Sequence, residues 1–307
     1  MPAVLSPHIT HHNSLRVGYI NSTTMTFATL ARSRANSLGA FGFQWRVAAR
    51  NHSSLKSVAL DTTFAASLPP LEPNHRRVYL IRHGQTDWNA RGLIQGGGYN
   101  IELNEKGRDQ ARRVAHELSS IQLDIVASSH LSRAAETADI LYESQQQTHS
   151  SSSQRLPLER LNTERFGEMR FGQFEGAAIY GKEFDQDSHD KFWEVNTKIR
   201  ADTSMRFPLD GESTDDVEER YRMALEAILN KYKDAYHIAI VGHGRGNQIL
   251  LASILWNNAQ RYHEIKQGNT CINALDFSET TETWNPIVLN YSAHTKNKIS
   301  FERVGSE

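Results

Sequence analysis

The chain has 307 residues, 38% of them hydrophobic, and its 34 basic side chains against 35 acidic ones leave a formal charge of −1. That length buries a core for one large domain or two small ones, and so balanced a charge provides no electrostatic footprint for nucleic acid or an anionic membrane. No run nears the roughly 18 uninterrupted apolar residues of a spanning helix, and a single cysteine, Cys271, excludes an intrachain disulfide and a four-thiolate zinc site.

Before Asp61 there is no acidic residue, while Arg16, Arg32, Arg34, Arg46, Arg50 and Lys56 fall among many Ser, Thr and Ala. Arg-rich, Ser-rich and acid-free is the composition of an organelle transit peptide. The stretch MTFATLARSRANSLGAFGFQWRVAARNHSS from Met25 would form a basic amphipathic helix and has no compact apolar segment. That fits a mitochondrial presequence better than a secretory signal, with a plastid address or a cytoplasmic tail as alternatives. Residues 1–70 are expected to lie outside the fold, LPPLEP (68–73) to be a linker, and the domain to run over 71–307.

VYLIR (78–82) reads as a strand from its β-branched and aromatic content, and a helix opens near Asn104 with Ala111, Val114, Ala115 and Leu118 at helical spacing. DIVAS (124–128) is a second strand, a helix follows from about Ser132 to Tyr142, and SQQQTHSSSSQ (144–154) is a low-complexity solvated loop. LPLERLN is a third strand. TDDVEERYRMALEAILNKY makes a long amphipathic helix through Val217, Tyr221, Ala224, Ile228 and Tyr232, and HIAIVGHG holds a fourth strand. NQILLASILW is a helix apolar on every side, hence buried, and CINALDF and PIVLNYS close as strands. Strands alternating with helices, without an internal repeat, predict an α/β fold: a three-layer α/β/α sandwich around a mostly parallel sheet.

In such sheets ligands bind outside the carboxyl ends of the strands. VYLIR runs into His83 and Gly84, and HIAIVG runs into His243 and Gly244, so two imidazoles are expected side by side above the sheet. The strand DIVAS leads into SSHLSRAAETA, which sets Arg133 in the first turn of the next helix.

From Arg77 to about Phe277 the chain resembles the histidine phosphatase superfamily, also called phosphoglycerate mutase-like. LIRHGQTDWN looks like its nucleophile motif, GLIQGGGYNIELNEKGRDQA like the loop and helix that follow, and SSHLSRAAETA like its second arginine motif. ERFGEMRFGQFEG resembles the segment with the acid, PLDGES the substrate-side motif, IVGHG the second histidine, and QGNTCINALDF the closing strand. The resemblance implies that fold, and hydrolysis of a phosphomonoester through a phosphohistidine with no metal or other cofactor. The implied partner is a small phosphorylated substrate, a sugar or sugar-acid phosphate. The short interval from Glu168 to His243 and the lack of basic residues in GGGYNIELNE fit the phosphatase branch. A cofactor-dependent phosphoglycerate mutase and a phosphoprotein phosphatase are the alternatives. Retention of Arg82, His83, Arg133 and His243 argues against a non-catalytic binding module.

A phosphomonoester is a dianion with a poor alkoxide leaving group, so its cleavage needs a nucleophile, cationic clamps and an acid. His83 is expected to attack as neutral imidazole. Arg82 and Arg133 offer forks that match phosphoryl oxygens, and their field opposes protonation of His83. His243 would donate to an equatorial oxygen. Asn89 and Gln95 are either neutral donors to the same oxygens or caps of the loop, and Gly84 and Gly244 would admit a close backbone approach. Glu164, Glu168 and Glu175 compete as the acid. The family pattern, Glu three residues before an aromatic-Gly pair, selects Glu168 ahead of Phe171 and Gly172, leaving Glu164 solvated and Glu175 structural.

Other patterns are weaker. GHGRGN after a strand, with Glu264 downstream, imitates a dinucleotide turn but lacks the final Gly or Ala, and Gly244 stands where a nucleophile elbow needs serine. FDQDSHD, with Asp185, Asp187 and His189, follows no apolar strand and is expected to be an exposed acidic loop over the site and not a metal centre. Lys182, Lys198 and Arg200 lie in the segment that would choose the substrate, where most such charges are solvated.

Overall fold

The computed structural model describes residues 46–47, 63–149 and 158–295; the rest of the expected leader falls outside the described residues. The middle of the sheet is built from strands that read as unbroken apolar runs, the pattern of strands covered on both faces. β2 (His75–Arg82) and β5 (His237–Gly242) pair in parallel with Arg82 opposite Gly242. β3 (Ile125–Ser129) lies parallel to β5 and to β4 (Glu159–Thr163). On the other side of β2, β6 (Ile272–Ser278) runs antiparallel to β2 and to β7 (Thr283–Tyr291), and the dipeptide β1 (Arg46–Val47) lies parallel to β7. The sheet order among the described residues is β1-β7-β6-β2-β5-β3-β4, mostly parallel as expected, with β6 running against its neighbours.

Alternate strand residues serve opposite layers. Tyr79, Ile81, Val126, Val241 and Ala274 form one core with Val114 and Ala115 of α3 (Glu105–Glu117) and with Ala134, Ala138 and Leu141 of α4 (Ser132–His149). Val78, Leu80, Ile238 and Ile240 are buried on the other face. There α6 (Thr214–Lys231) and α7 (Gly244–Trp256) pack together and α7 lies against β2. Local chemistry sets the helix starts: Asn104 Oδ1 accepts from the Gly107 N–H at 2.9 Å ahead of α3, and Ser213 and Asp216 form a capping box at α6.

The fold extends past three of the expected limits. The domain begins before 71, because α1 (Phe64–Ser67) places Phe64 fully buried against Tyr79 and Tyr291, and the Pro69 carbonyl accepts from Arg77 Nη1 at 2.9 Å. Helix α4 continues to His149 through residues expected in a solvated loop. Gln145 explains it: buried, it accepts from the Leu123 N–H at 3.1 Å, which has no strand partner among the described residues, and donates at 3.0 Å to the Leu118 carbonyl, a second bond beside that from the Ile121 N–H at 3.0 Å. The remainder of that polar run, 150–154, falls outside the described residues. FDQDSHD is not a loop but the start of α5 (Gln186–Ala201). Asp185 caps it by accepting from the Ser188 N–H at 2.8 Å, and Phe192, Asn196 and Ile199 bury one face at helical spacing.

Candidate active site

Parallel pairing in register brings the tips of β2 and β5 to one level. The His83 N–H donates to the Gly242 carbonyl at 3.0 Å, and the His83 and His243 rings stand 5.1 Å apart between centroids. His83 Nδ1 lies 2.6 Å from the Gly84 carbonyl oxygen. A carbonyl only accepts, so Nδ1 carries the proton and Nε2 keeps its lone pair. Burial holds the His83 imidazole well below its ordinary range, and the charges of Arg133 and Arg82 push it further down. His243 is depressed in the same way, first by burial and then by Arg133.

Two arginines converge here. Arg82 Nη1 donates to the Gln267 carbonyl at 2.8 Å, while Arg133, fully buried in the first turn of α4, donates Nη1 to the Tyr99 carbonyl at 2.9 Å and Nη2 to the Gly96 carbonyl at 2.7 Å. Burial brings the Arg133 guanidinium down to about 10, so it is charged at neutral pH, with Glu168 opposing the shift and Arg82 adding to it. Each guanidinium keeps its Nε buried with no protein acceptor, and both ring nitrogens of His243 are buried and unpaired in the same way. Buried donors of this kind are costly unless something accepts from them.

Glu168 sits against the first turn of α7. Its Oε1 accepts from the N–H groups of Met169 at 2.9 Å and Gly246 at 3.0 Å, and its Oε2 accepts from the Arg245 N–H at 3.2 Å. Arg220 of α6, which motif reading passed over, braces this segment. It donates to the carbonyls of Arg165 (2.8 Å), Gly167 (2.7 Å) and Glu168 (3.1 Å) and grips Glu212 through Nε (2.9 Å) and Nη2 (3.0 Å). Glu212 of PLDGES is therefore an internal brace and not a substrate-facing group.

The remaining expected residues separate. Asn89 completes the capping box of α2 (Asp87–Arg91), the short helix after His83: its Oδ1 accepts from the Thr86 N–H at 3.3 Å and from Asn269 Nδ2 at 3.1 Å. Gln95 is buried with Oε1 unpaired. A Cβ on Gly84 would come within 2.4 Å of the Gly107 carbonyl oxygen, so that glycine seats α3 against the strand tip instead of admitting a ligand. On Gly244 a Cβ would make only ordinary contact, 3.5 Å from Arg82 Nε and 3.7 Å from Glu168 Oε2. Glu164 is exposed. Glu175 accepts from the Phe171 N–H at 2.9 Å and the Gly98 N–H at 3.1 Å, and burial raises its carboxyl above the usual range. Asp187 pairs with Lys191, His189 with Asp190, Lys198 with Glu194 and Glu264 with Arg261. No group of three metal-ligating side chains forms among the described residues.

The family model of the histidine phosphatase superfamily (branch 1) matches residues 78–288. Phosphoglycerate mutase-like protein 4 of Arabidopsis thaliana is 33% identical over 56% of this chain and 67% of its own length. A probable 2-carboxy-D-arabinitol-1-phosphatase of the same plant is 27% identical over 72% of this chain, and the chain spans only 42% of that relative. Among solved structures, a mycobacterial glucosyl-3-phosphoglycerate phosphatase with VO3 is similar at a TM-score of 0.56 and 26% identity, covering 71% of this chain and 100% of its own.

Proposed function

The chain belongs to the histidine phosphatase superfamily, branch 1, and on that premise we propose that it hydrolyses a small phosphomonoester, a sugar or sugar-acid phosphate, through a phosphohistidine on His83. One observation carries the reading: a neutral imidazole with a free Nε2 lies beside two guanidiniums and a second neutral imidazole whose buried nitrogens have no protein acceptor. A phosphoryl group is the planar, multiply charged acceptor that such donors fit. Two of the similar proteins are named as phosphatases of 2-carboxy-D-arabinitol 1-phosphate and of glucosyl-3-phosphoglycerate, which supports a small phosphorylated substrate.

In the first step His83 Nε2 forms a bond to phosphorus as the ester P–O bond breaks, and Glu168 in its acid form gives its proton to the leaving oxygen. Arg82, Arg133 and His243 take the charge that builds on the equatorial oxygens. In the second step Glu168, now a carboxylate, accepts a proton from water as the water oxygen attacks phosphorus. The P–N bond breaks, inorganic phosphate leaves and His83 returns to neutral. A brief incubation with a labelled phosphomonoester should leave acid-labile, alkali-stable phosphate on His83, and His83→Ala should lose labelling and turnover together; labelling that survives in the variant ends the mechanism. Arginine and histidine meet the whole phosphoryl charge in this scheme. Turnover is expected to be unchanged in EDTA, and a loss reversed by a divalent ion would replace the scheme.

The relative named as mutase-like favours a second reading, a phosphoglycerate mutase on the same phosphohistidine. With 2,3-bisphosphoglycerate supplied, release of phosphate should outrun interconversion of 2- and 3-phosphoglycerate; the reverse order assigns the mutase. The acid-free segment before Asp61 is proposed as a mitochondrial address. A fusion of residues 1–62 to a fluorescent protein tests it, and a cytosolic signal rejects it.

A further inference from the structure

Arg245 stands two residues after His243, in the first turn of α7, and its backbone N–H holds Glu168 Oε2 at 3.2 Å. Its guanidinium lies 4.4 Å from the ring centroid of Tyr262 and 5.3 Å from that of Phe171, the aromatic residue that follows Glu168 by three positions. Nη1 donates to Asn196 Oδ1 at 3.2 Å, and the same oxygen accepts from the Tyr262 hydroxyl at 3.3 Å. Asn196 and Tyr262 are themselves 1% and 2% exposed, so the cation is positioned by buried groups from α5, from the turn after Glu168 and from the 3₁₀ segment Ala259–Glu264.

No carboxylate neutralises it among the described residues, and the Asn196 oxygen is the acceptor its side chain uses there. Arg220, bound from the other side to the same Glu168 segment, shows the contrast. Glu212 and three carbonyls occupy its donors. A structural arginine is satisfied in that manner. A half-buried guanidinium pre-oriented by two rings and one amide, with donors to spare, has the form of a receptor for an anion.

Its place decides which part of the substrate it meets. Glu168 serves the leaving oxygen, so the alcohol portion of the ester is the part held next to Arg245, while the transferred phosphoryl group goes to Arg82, Arg133 and His243. A single cation against two aromatic faces matches one negative charge better than two, since an excess charge beside apolar rings stays unpaired at a cost. We propose that Arg245 is a specificity-determining residue that binds a carboxylate on the leaving alcohol, making the substrate class a phosphorylated hydroxy acid in preference to a neutral sugar or alcohol phosphate. The proposal rests on the phosphatase reading and narrows it.

The test compares kcat/KM for 3-phosphoglycerate and for glycerol 3-phosphate, which differ in the carboxylate, in the wild-type full chain, Arg245→Gln and Arg245→Lys. Charge-assisted hydrogen bonds of this type support a wild-type preference for the acid of about tenfold or more. Arg245→Gln should bring the ratio to about one, mainly through the KM of the acid, and Arg245→Lys, which keeps the charge but not the fork, should retain part of it. Thermal unfolding of each variant confirms that it folds. A wild type that treats both esters alike overturns the carboxylate subsite and leaves the phosphatase standing. So does an Arg245→Gln variant that loses both esters by the same factor, because Arg245 would then act only through Glu168. A wild type that takes no phosphate label on His83 and releases phosphate from neither ester removes the phosphatase reading itself.

Discussion

His83 and His243 are kept uncharged by burial first and then by the charge of neighbouring arginines, and an acid limb in the pH profile follows. The attacking imidazole loses its lone pair only on protonation, so kcat/KM should stay level through the free-histidine value of 6.5 and fall only well below it; a limb centred at 6.5 would mean that neither burial nor the arginine field is felt. Glu168→Gln removes the proton that an alkoxide needs but a nitrophenolate does not. Turnover of an alkyl phosphate should drop by about 10²–10⁴, that of p-nitrophenyl phosphate should drop less, and phosphohistidine should accumulate. Equal losses on the two esters would deny Glu168 the role of acid. The placement of Arg82, His83, Arg133 and His243 was legible because strand tips and first helical turns position side chains by geometry alone. Arg245 and Arg220 were not, because an arginine in a turn or on an amphipathic helix looks solvated until the rings, carbonyls and carboxylate that hold it are brought in from distant segments.

At the scale of elements, the first turn of α7 carries three duties, since it follows His243, supplies two N–H groups to Glu168 and presents Arg245. Gly246 makes this possible, because a Cβ there would lie 2.1 Å from the Tyr221 hydroxyl oxygen. Gly246→Ala is expected to cost about 1–3 kcal/mol in overpacking and, by moving the turn, to lower kcat along with Tm. Chemical denaturation with parallel assays checks it, and unchanged kcat at reduced stability would show that the turn does not set the acid. In α4, Gln145→Leu strands the Leu123 N–H, while the Leu118 carbonyl keeps its bond from Ile121, for about 1–3 kcal/mol measured in the same way. The strands were readable as apolar runs. Helix α5 was hidden because its first turn is entirely polar, and its apolar side is only Phe192 and Ile199 around a buried Asn196.

At the scale of the molecule, one ring ties the segment just ahead of β2 to the core. A chain starting at 63 keeps Phe64 in its core and a chain starting at 71 loses it, so the two truncations should differ by about 3–5 kcal/mol in unfolding free energy, the cost of deleting a buried phenylalanine. Equal stabilities would place Phe64 outside the cooperative unit. Composition alone sets the expected boundary at 70, and a four-residue helix with one buried aromatic has no periodicity to reveal it. The whole fold should also be sensitive to acid. Burial brings His294 down to about 4 from 6.5, so its native form is neutral where the unfolded imidazole already binds a proton. Stability then declines as pH falls from 6.5 towards 4 and levels below that, and His294→Gln should flatten part of the decline.

The central strand β2 takes both its partners, β5 and β6, from the far end of the sequence. While the chain is being made, α1, α3 and α4 can meet β2 through their side chains, but β2 has no strand to pair with until His237–Gly242 and Ile272–Ser278 have been synthesised. Contacts of long sequence separation are the slow ones to close. In refolding from denaturant, helical signal should therefore return first, and phosphate release should return together with the last sheet signal. The assembled pair of imidazoles therefore exists only once β5 has paired with β2, and activity becomes a report that the molecule has been completed.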